Sequence, residues 1–394
     1  MRKYNFDELV DRRNTGSIKW DVRSADELPM WVADMDFKAA PEIREALSAR
    51  VAHGVFGYSE PSQAWAQAYV NWWKTRHQFD MRPEWLIFTT GVVPAISTAV
   101  RKLTTPAEKV LVQTPVYNIF FNSILNNGRV PVEVPLLYHS SDHHYSIDFE
   151  ALEACLSDPQ VSLMIVCNPQ NPTGRIWTKG ELEHIGELCK RHHVTVISDE
   201  IHCDIVRPGA HYTPFAAASE TCREISVTCM APTKCFNIAG LQTAAVCVPD
   251  EALRHKMWRG LNTDEVAEGN VFSADVAVVA FSCAGAWLDE MCAYITENID
   301  YMRDYIEREI PQIQLIWGGA TYLPWLDVSS LTSESREFTS FLRAQTGLWL
   351  SDGAQYGDAG KAFVRINAAC PFARVQDGME RLKRGVRLYL ENKS

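Results

Sequence analysis

Short runs of β-branched and apolar residues recur along the chain, and segments of helical character separate most of them. LIFTT (86 to 90), KVLVQ (109 to 113), VPVEV (130 to 134), VSLMIVC (161 to 167), VTVIS (194 to 198), EISVTCM (224 to 230) and TAAVCV (243 to 248) predict seven strands. Several are almost unbroken in apolar character, the pattern of strands covered on both faces. TKGELEHIGELCKRHH (178 to 193) predicts a helix, with a capping box from Thr178 and Glu181 and with His192 and His193 complementing the dipole at its far end. The tryptophans of AYVNWWK (68 to 74) fall at helical spacing and predict core or interface. The pattern as a whole predicts a mainly parallel, helix-covered α/β sheet over residues 46–285, with 1–45 and 286–394 as a discontinuous second domain.

Composition narrows the functions this sheet can serve. At 394 residues the chain exceeds the size at which one core keeps growing, which agrees with two domains. Its 38 basic and 49 acidic residues leave a net charge of -11, no electrostatic footprint for nucleic acid or an anionic membrane, so a small neutral or zwitterionic partner is expected. MRKYNFDELVDRR carries charges where a signal peptide needs an apolar core, and VAVVAFSCAGAW (276 to 287) is too short to span a bilayer; a soluble, cytoplasmic chain is expected. Eleven cysteines without a CxxC pair lie mostly in segments such as LMIVC and AAVCV and read as reduced core thiols. Neither disulfides nor structural zinc are expected. HSSDHH (139 to 144) has metal-binding residue types but reads more simply as a solvated loop.

Neither GxGxxG nor GxxxxGK occurs, so the usual phosphate cradles are missing. In an open α/β sheet ligands sit beyond the carboxyl ends of the strands. LIFTT is followed by Gly91, Val92 and Val93, a strand-to-helix turn able to aim backbone N–H groups at a phosphate. KVLVQ leads to Tyr117, VSLMIVC to NPQNPTG with Asn171, VTVIS to Asp199 and His202, and EISVTCM to Lys234. From Ile225 to Pro249 Lys234 is the only formally charged side chain, a costly place for an ammonium. Each feature has a structural explanation of its own: a tight turn, a boundary aromatic, a loop, a helix cap, a snorkelling lysine. None explains why all five meet at one sheet edge. An aldehyde cofactor does: a Schiff base to Lys234, phosphate in the glycine turn, ring under Tyr117 and pyridine nitrogen facing Asp199.

The ordered set GVVP, TPVY, NPQNPTG, SDEIH and APTK resembles the pyridoxal-phosphate enzymes of the aspartate-aminotransferase fold, fold type I. WVADMDF (31 to 37), HGVFGY (53 to 58), SDEIHCDIV (198 to 206), TKCFNIAGLQ (233 to 242) and FVRINAACP (363 to 371) together resemble the MalY/PatB group of cysteine-S-conjugate (cystathionine) β-lyases from end to end. The resemblance implies a seven-stranded sheet in a large domain, a smaller α+β domain and pyridoxal 5'-phosphate as cofactor. It gives Lys234 the covalent and proton-transfer role, Asp199 the pyridinium, Asn171 and His202 the ring hydroxyl, and Tyr117 the stacking face. Val92, Val93 and Thr233 would hold the phosphate, and Arg365 the substrate carboxylate. It also implies a homodimer in which Tyr58 reaches the neighbouring site, and β-elimination of an S-substituted L-cysteine to a thiol, pyruvate and ammonia. An aminotransferase on the same fold, or a lyase with a further regulatory protein-binding role, stays open. Ala231 and Gln242 stand where aminotransferase relatives carry phosphate-gripping serine and arginine, and Cys235, where relatives often carry serine or threonine, reads by default as small-residue packing.

Overall fold

The computed structural model describes residues 2–21 and 26–393. The strands Leu86–Thr89, Lys109–Thr114, Val130–Pro135, Val161–Cys167, Thr195–Asp199, Ser226–Met230 and Ala244–Cys247 form one seven-stranded sheet. Ala244–Cys247 runs antiparallel between the first strand and Ser226–Met230, and every other neighbouring pair is parallel. The near-continuous apolar runs are explained by burial on both sides. Val110, Val112, Leu163 and Ile165 pack on one face with the helix Val92–Leu103, while Leu111, Met164 and Val166 pack on the other with Lys179–Arg191.

The predicted helix is present as Lys179–Arg191, and its capping box is complete: Thr178 Oγ1 accepts from Glu181 N–H while the Glu181 carboxylate accepts from Thr178 N–H. One strand boundary differs from expectation by two residues, the others by at most one. Glu224 and Ile225 close a short helix, Glu220–Ile225, whose start is capped by Ser219, so the strand begins only at Ser226. The apolar pattern runs straight across that junction and hides it.

A second, antiparallel sheet of four short strands orders Gln314–Ile316, Trp325–Asp327, Phe363–Arg365 and Ser351–Asp352, with the helices Gly285–Glu309, Ser335–Thr346 and Phe372–Lys393 around it. The N-terminal segment joins this part of the molecule through Leu28–Pro29, which pairs in parallel with Leu348–Trp349. HSSDHH forms the tip of an antiparallel hairpin; His144 contacts Asp142 and His139 contacts Ser146, each at 2.7 Å, and no metal-binding cluster lies there among the described residues. Among those residues no single helix is long and apolar enough to cross a membrane. Ser273–Cys283 and Gly285–Glu309 qualify only as a pair bent by 76°, and they bury Val276, Phe281, Trp287 and Met291 in the core.

Candidate active site

At the carboxyl ends of the strands lies a cavity of about 200 Å³ walled by Gly91, Val92, Val93, Tyr117, Asn171, Asp199, His202, Thr233 and Lys234. The helix Val92–Leu103 starts at Gly91 without a side-chain cap, so the N–H groups of Val92 and Val93 keep their donor capacity on the cavity wall. A side chain on Gly91 would crowd this turn, its Cβ coming within 3.2 Å of Pro94.

Asp199 ends its strand with one carboxylate oxygen accepting from Ile201 N–H at 3.1 Å. Burial pushes its pKa up to about 6, against the opposing pull of that N–H and of Lys234, so a cationic partner in the cavity would restore its charge. His202 is neutral, its pKa lowered to about 3 by burial and then by Lys234 and Arg365. Its buried Nδ1 has no hydrogen-bond partner among the described residues. Burial likewise holds Tyr117 as a phenol, with a pKa of about 12.

Lys234 sits on the turn after Ser226–Met230, and its Nζ donates to the Ala33 carbonyl at 2.5 Å. Burial, then the charge of Arg365, lowers its pKa to about 8, while Asp34 and Asp199 oppose the change. Two large depressions elsewhere, about 740 and 600 Å³, contain none of these residues.

Two of the expected residues lie outside the cavity wall. Arg365 is buried behind it, donating through Nη1 to Asn171 Oδ1 at 3.2 Å and through Nη2 to the Trp31 carbonyl at 3.0 Å, with Nε unpaired among the described residues. Tyr58 is fully solvent-exposed, in company with exposed Val51, Val55 and Phe56. Ala231 is buried in the core and Gln242 is exposed; neither reaches the cavity, and Lys234 is the sole cation among the described residues of its wall.

Sequence reasoning misses the contribution of residues 31–35. Trp31 O accepts from Arg365, Val32 O and Asp34 O from Asn367, Ala33 O from Lys234 and Tyr322, and Met35 O from Asn237 and Arg12. The WVADMDF motif is visible in the sequence, but its work here is done by main-chain oxygens, which no side-chain pattern announces.

These groups fit pyridoxal phosphate: an uncapped helix start for the phosphate, an under-bonded carboxylate for the ring nitrogen, an orphaned imidazole nitrogen and an amine poised to lose its proton. The family described as Aminotransferase class I and II matches residues 28–382. Cystathionine beta-lyase PatB of Bacillus subtilis (strain 168) is 43% identical over 384 residues, covering 96% of this chain and 99% of its own. The structure of cystalysin from Treponema denticola, which contains pyridoxal 5'-phosphate, has a TM-score of 0.94 at 32% identity, covering 98% of this chain and 99% of that one. A PLP-bound putative aminotransferase from Clostridium difficile 630 also gives 0.94, at 38% identity, covering 97% of this chain and 100% of that one. With a family match that runs through both sheets and likeness extending end to end, the chain belongs to the class I and II aminotransferase family.

Proposed function

We propose that this chain is a pyridoxal-phosphate-dependent carbon–sulfur β-lyase that cleaves L-cystathionine or another S-substituted L-cysteine to a thiol, pyruvate and ammonia. The observation that carries the reading is the cavity wall, where an amine of pKa about 8, a buried carboxylate and an uncapped helix start meet, in a chain 43% identical to a cystathionine β-lyase.

When bound, pyridoxal phosphate supplies an aldehyde for the substrate's amino group and a ring that draws electrons from the α-carbon. The chain's own residues do the rest. The Val92 and Val93 N–H groups and the Thr233 hydroxyl would hold the cofactor's phosphate, Asp199 would keep a proton on its ring nitrogen, Asn171 and His202 would bond its hydroxyl, and Tyr117 would stack on its ring. Arg365 takes the substrate carboxylate with Nε–H and its remaining guanidinium donors, the planar fork suiting a two-oxygen partner. Lys234, with a pKa close to neutral, accepts the α-proton on Nζ. Loss of that proton supplies the electron pair that expels sulfur from the β-carbon as thiolate. Hydrolysis of the three-carbon remainder gives pyruvate and ammonia.

The active unit in this reading is a cytoplasmic homodimer in which Tyr58 of each subunit reaches its neighbour's phosphate. The bare Tyr58 ring beside exposed Val51, Val55 and Phe56 supports a covered position in an assembly. Transamination, which the name of the Clostridium difficile neighbour favours, would leave the thioether intact and return a keto acid. Pyruvate and thiol release across cystathionine, cystine, an S-alkylcysteine and a cysteinyl conjugate separates the two. Keto-acid exchange with no pyruvate from any thioether would sink the lyase reading. Borohydride reduction of the yellow holoenzyme should fix the cofactor to the peptide containing Lys234.

A further inference from the structure

The segment SDEIHCD lines two cavities. Asp199 and His202 line the cofactor cavity, whereas Cys203 and Asp204 line a separate cavity of about 600 Å³. His77, the last residue of the helix Gln63–His77, comes to the same wall from a distant part of the chain. Its Nε2 lies 2.9 Å from Asp204 Oδ1, Cys203 Sγ lies 3.7 Å from Asp204 Oδ2, and the donor atoms of all three residues fall within 4.8 Å of one another. Around a tetrahedral zinc ion, with bonds of about 2.0–2.3 Å, neighbouring donors stand roughly 3.3–3.8 Å apart. The 3.7 Å spacing falls within that range, and the 2.9 Å contact is a hydrogen bond in which the ion would take the place of the proton between the His77 ring and the carboxylate.

We propose that His77, Cys203 and Asp204 form a binding site for one thiophilic divalent cation of the zinc type, with water from the adjoining cavity completing its coordination. An imidazole, a thiolate and a carboxylate are the donors such an ion prefers over the all-oxygen sets of magnesium or calcium. Their two negative charges cancel the ion's two positive ones. The carboxylate is already oriented, because Trp72 Nε1 donates at 2.9 Å to Asp204 Oδ1, the oxygen that also faces His77, while Oδ2 faces Cys203. Arg76, on the same wall, is paired with Asp289 through contacts of 2.7 and 3.0 Å. On binding, the Cys203 thiol gives its proton to solvent and its sulfur lone pair to the ion; nothing is oxidised or reduced. The proposed site differs from the sequence expectation of no metal, and it matches no zinc spacing because His77 lies far from the adjacent Cys203 and Asp204 in the sequence.

The test uses the purified holoenzyme, freed of metal by chelator and then dialysed against micromolar Zn²⁺ or Co²⁺. One ion per chain is expected, with a near-ultraviolet thiolate-to-cobalt charge-transfer band. Cys203→Ser should abolish that band, and both Cys203→Ser and His77→Gln should weaken binding by at least about tenfold. Cys283→Ser, which removes the exposed thiol, should leave stoichiometry and band unchanged. Less than one ion per wild-type chain at micromolar metal, or binding and band that persist in Cys203→Ser, overturns the proposal. If Cys203→Ser fails to fold, the wild-type stoichiometry and His77→Gln decide it.

Discussion

Lys234 loses its proton near pH 8 in the folded chain, chiefly because burial disfavours the ammonium. A lysine in an unfolded chain holds its proton to about pH 10.4. Between these values the unfolded chain binds more protons, so stability rises with pH, and below pH 8 the folded chain carries the full penalty of the buried charge. In the cofactor-free protein, Lys234→Met is therefore expected to raise Tm relative to wild type below pH 8, with the gap narrowing steadily towards pH 10. Thermal melts over that range check it, and a gap independent of pH would contradict it. Arg365 acts at the same scale on a different quantity. If Arg365 holds the substrate carboxylate as proposed, Arg365→Ala should raise KM roughly 10- to 100-fold with a smaller change in kcat, and Arg365→Lys should not restore the loss. Lys234 is legible in the sequence because a charge amid apolar neighbours is conspicuous, whereas Arg365 reads alone as a solvated strand charge and is singled out only by the resemblance. Ala33 is not legible, because what it presents to Lys234 is a carbonyl oxygen that every residue possesses.

Whole elements differ in legibility for a physical reason. The long, two-sided strands, Val161–Cys167 above all, announce themselves through unbroken apolar runs. The strands of the second sheet, such as Trp325–Asp327 and Ser351–Asp352, are two or three residues long, too short to display a period of two. The loop between two of these strands is pinned to the turn that follows Val161–Cys167. Gly174, in the turn NPQNPTG, has φ +69°, and a Cβ there would meet Ala320 O at 2.8 Å and Trp317 Cδ1 at 2.9 Å. The close approach lets Ala320 N–H donate to Gly174 O at 3.0 Å and Gly318 N–H to Thr173 O at 3.2 Å. Gly174→Ala should cost at least about 2 kcal/mol through backbone strain and steric clash combined. Urea denaturation measures it; a change under about 0.5 kcal/mol would show the contact to be dispensable.

For the molecule as a whole, we propose the division into a large unit, 46–285, and a discontinuous one, 1–45 with 286–394; the sheets support it, the seven-stranded one lying within Leu86–Cys247 and all four strands of the second beyond Gln314. The proposed dimer has a sharper consequence. If Tyr58 serves the neighbouring site, then mixing inactive Lys234→Ala with impaired Tyr58→Ala chains and letting subunits exchange should regenerate wild-type sites, up to about a quarter of the total at equal amounts. Pyruvate release from the mixture checks this, and activity no greater than that of the separate variants would place Tyr58 outside the partner's site. The stretch from Trp31 to Met35 ties these levels together, since each of its successive carbonyls is claimed by a side chain from elsewhere, Lys234 and Arg365 among them. Such a stretch behaves like a ruler: adding or removing one position slides every mark at once, so it will tolerate exchanged side chains far more readily than any change in length.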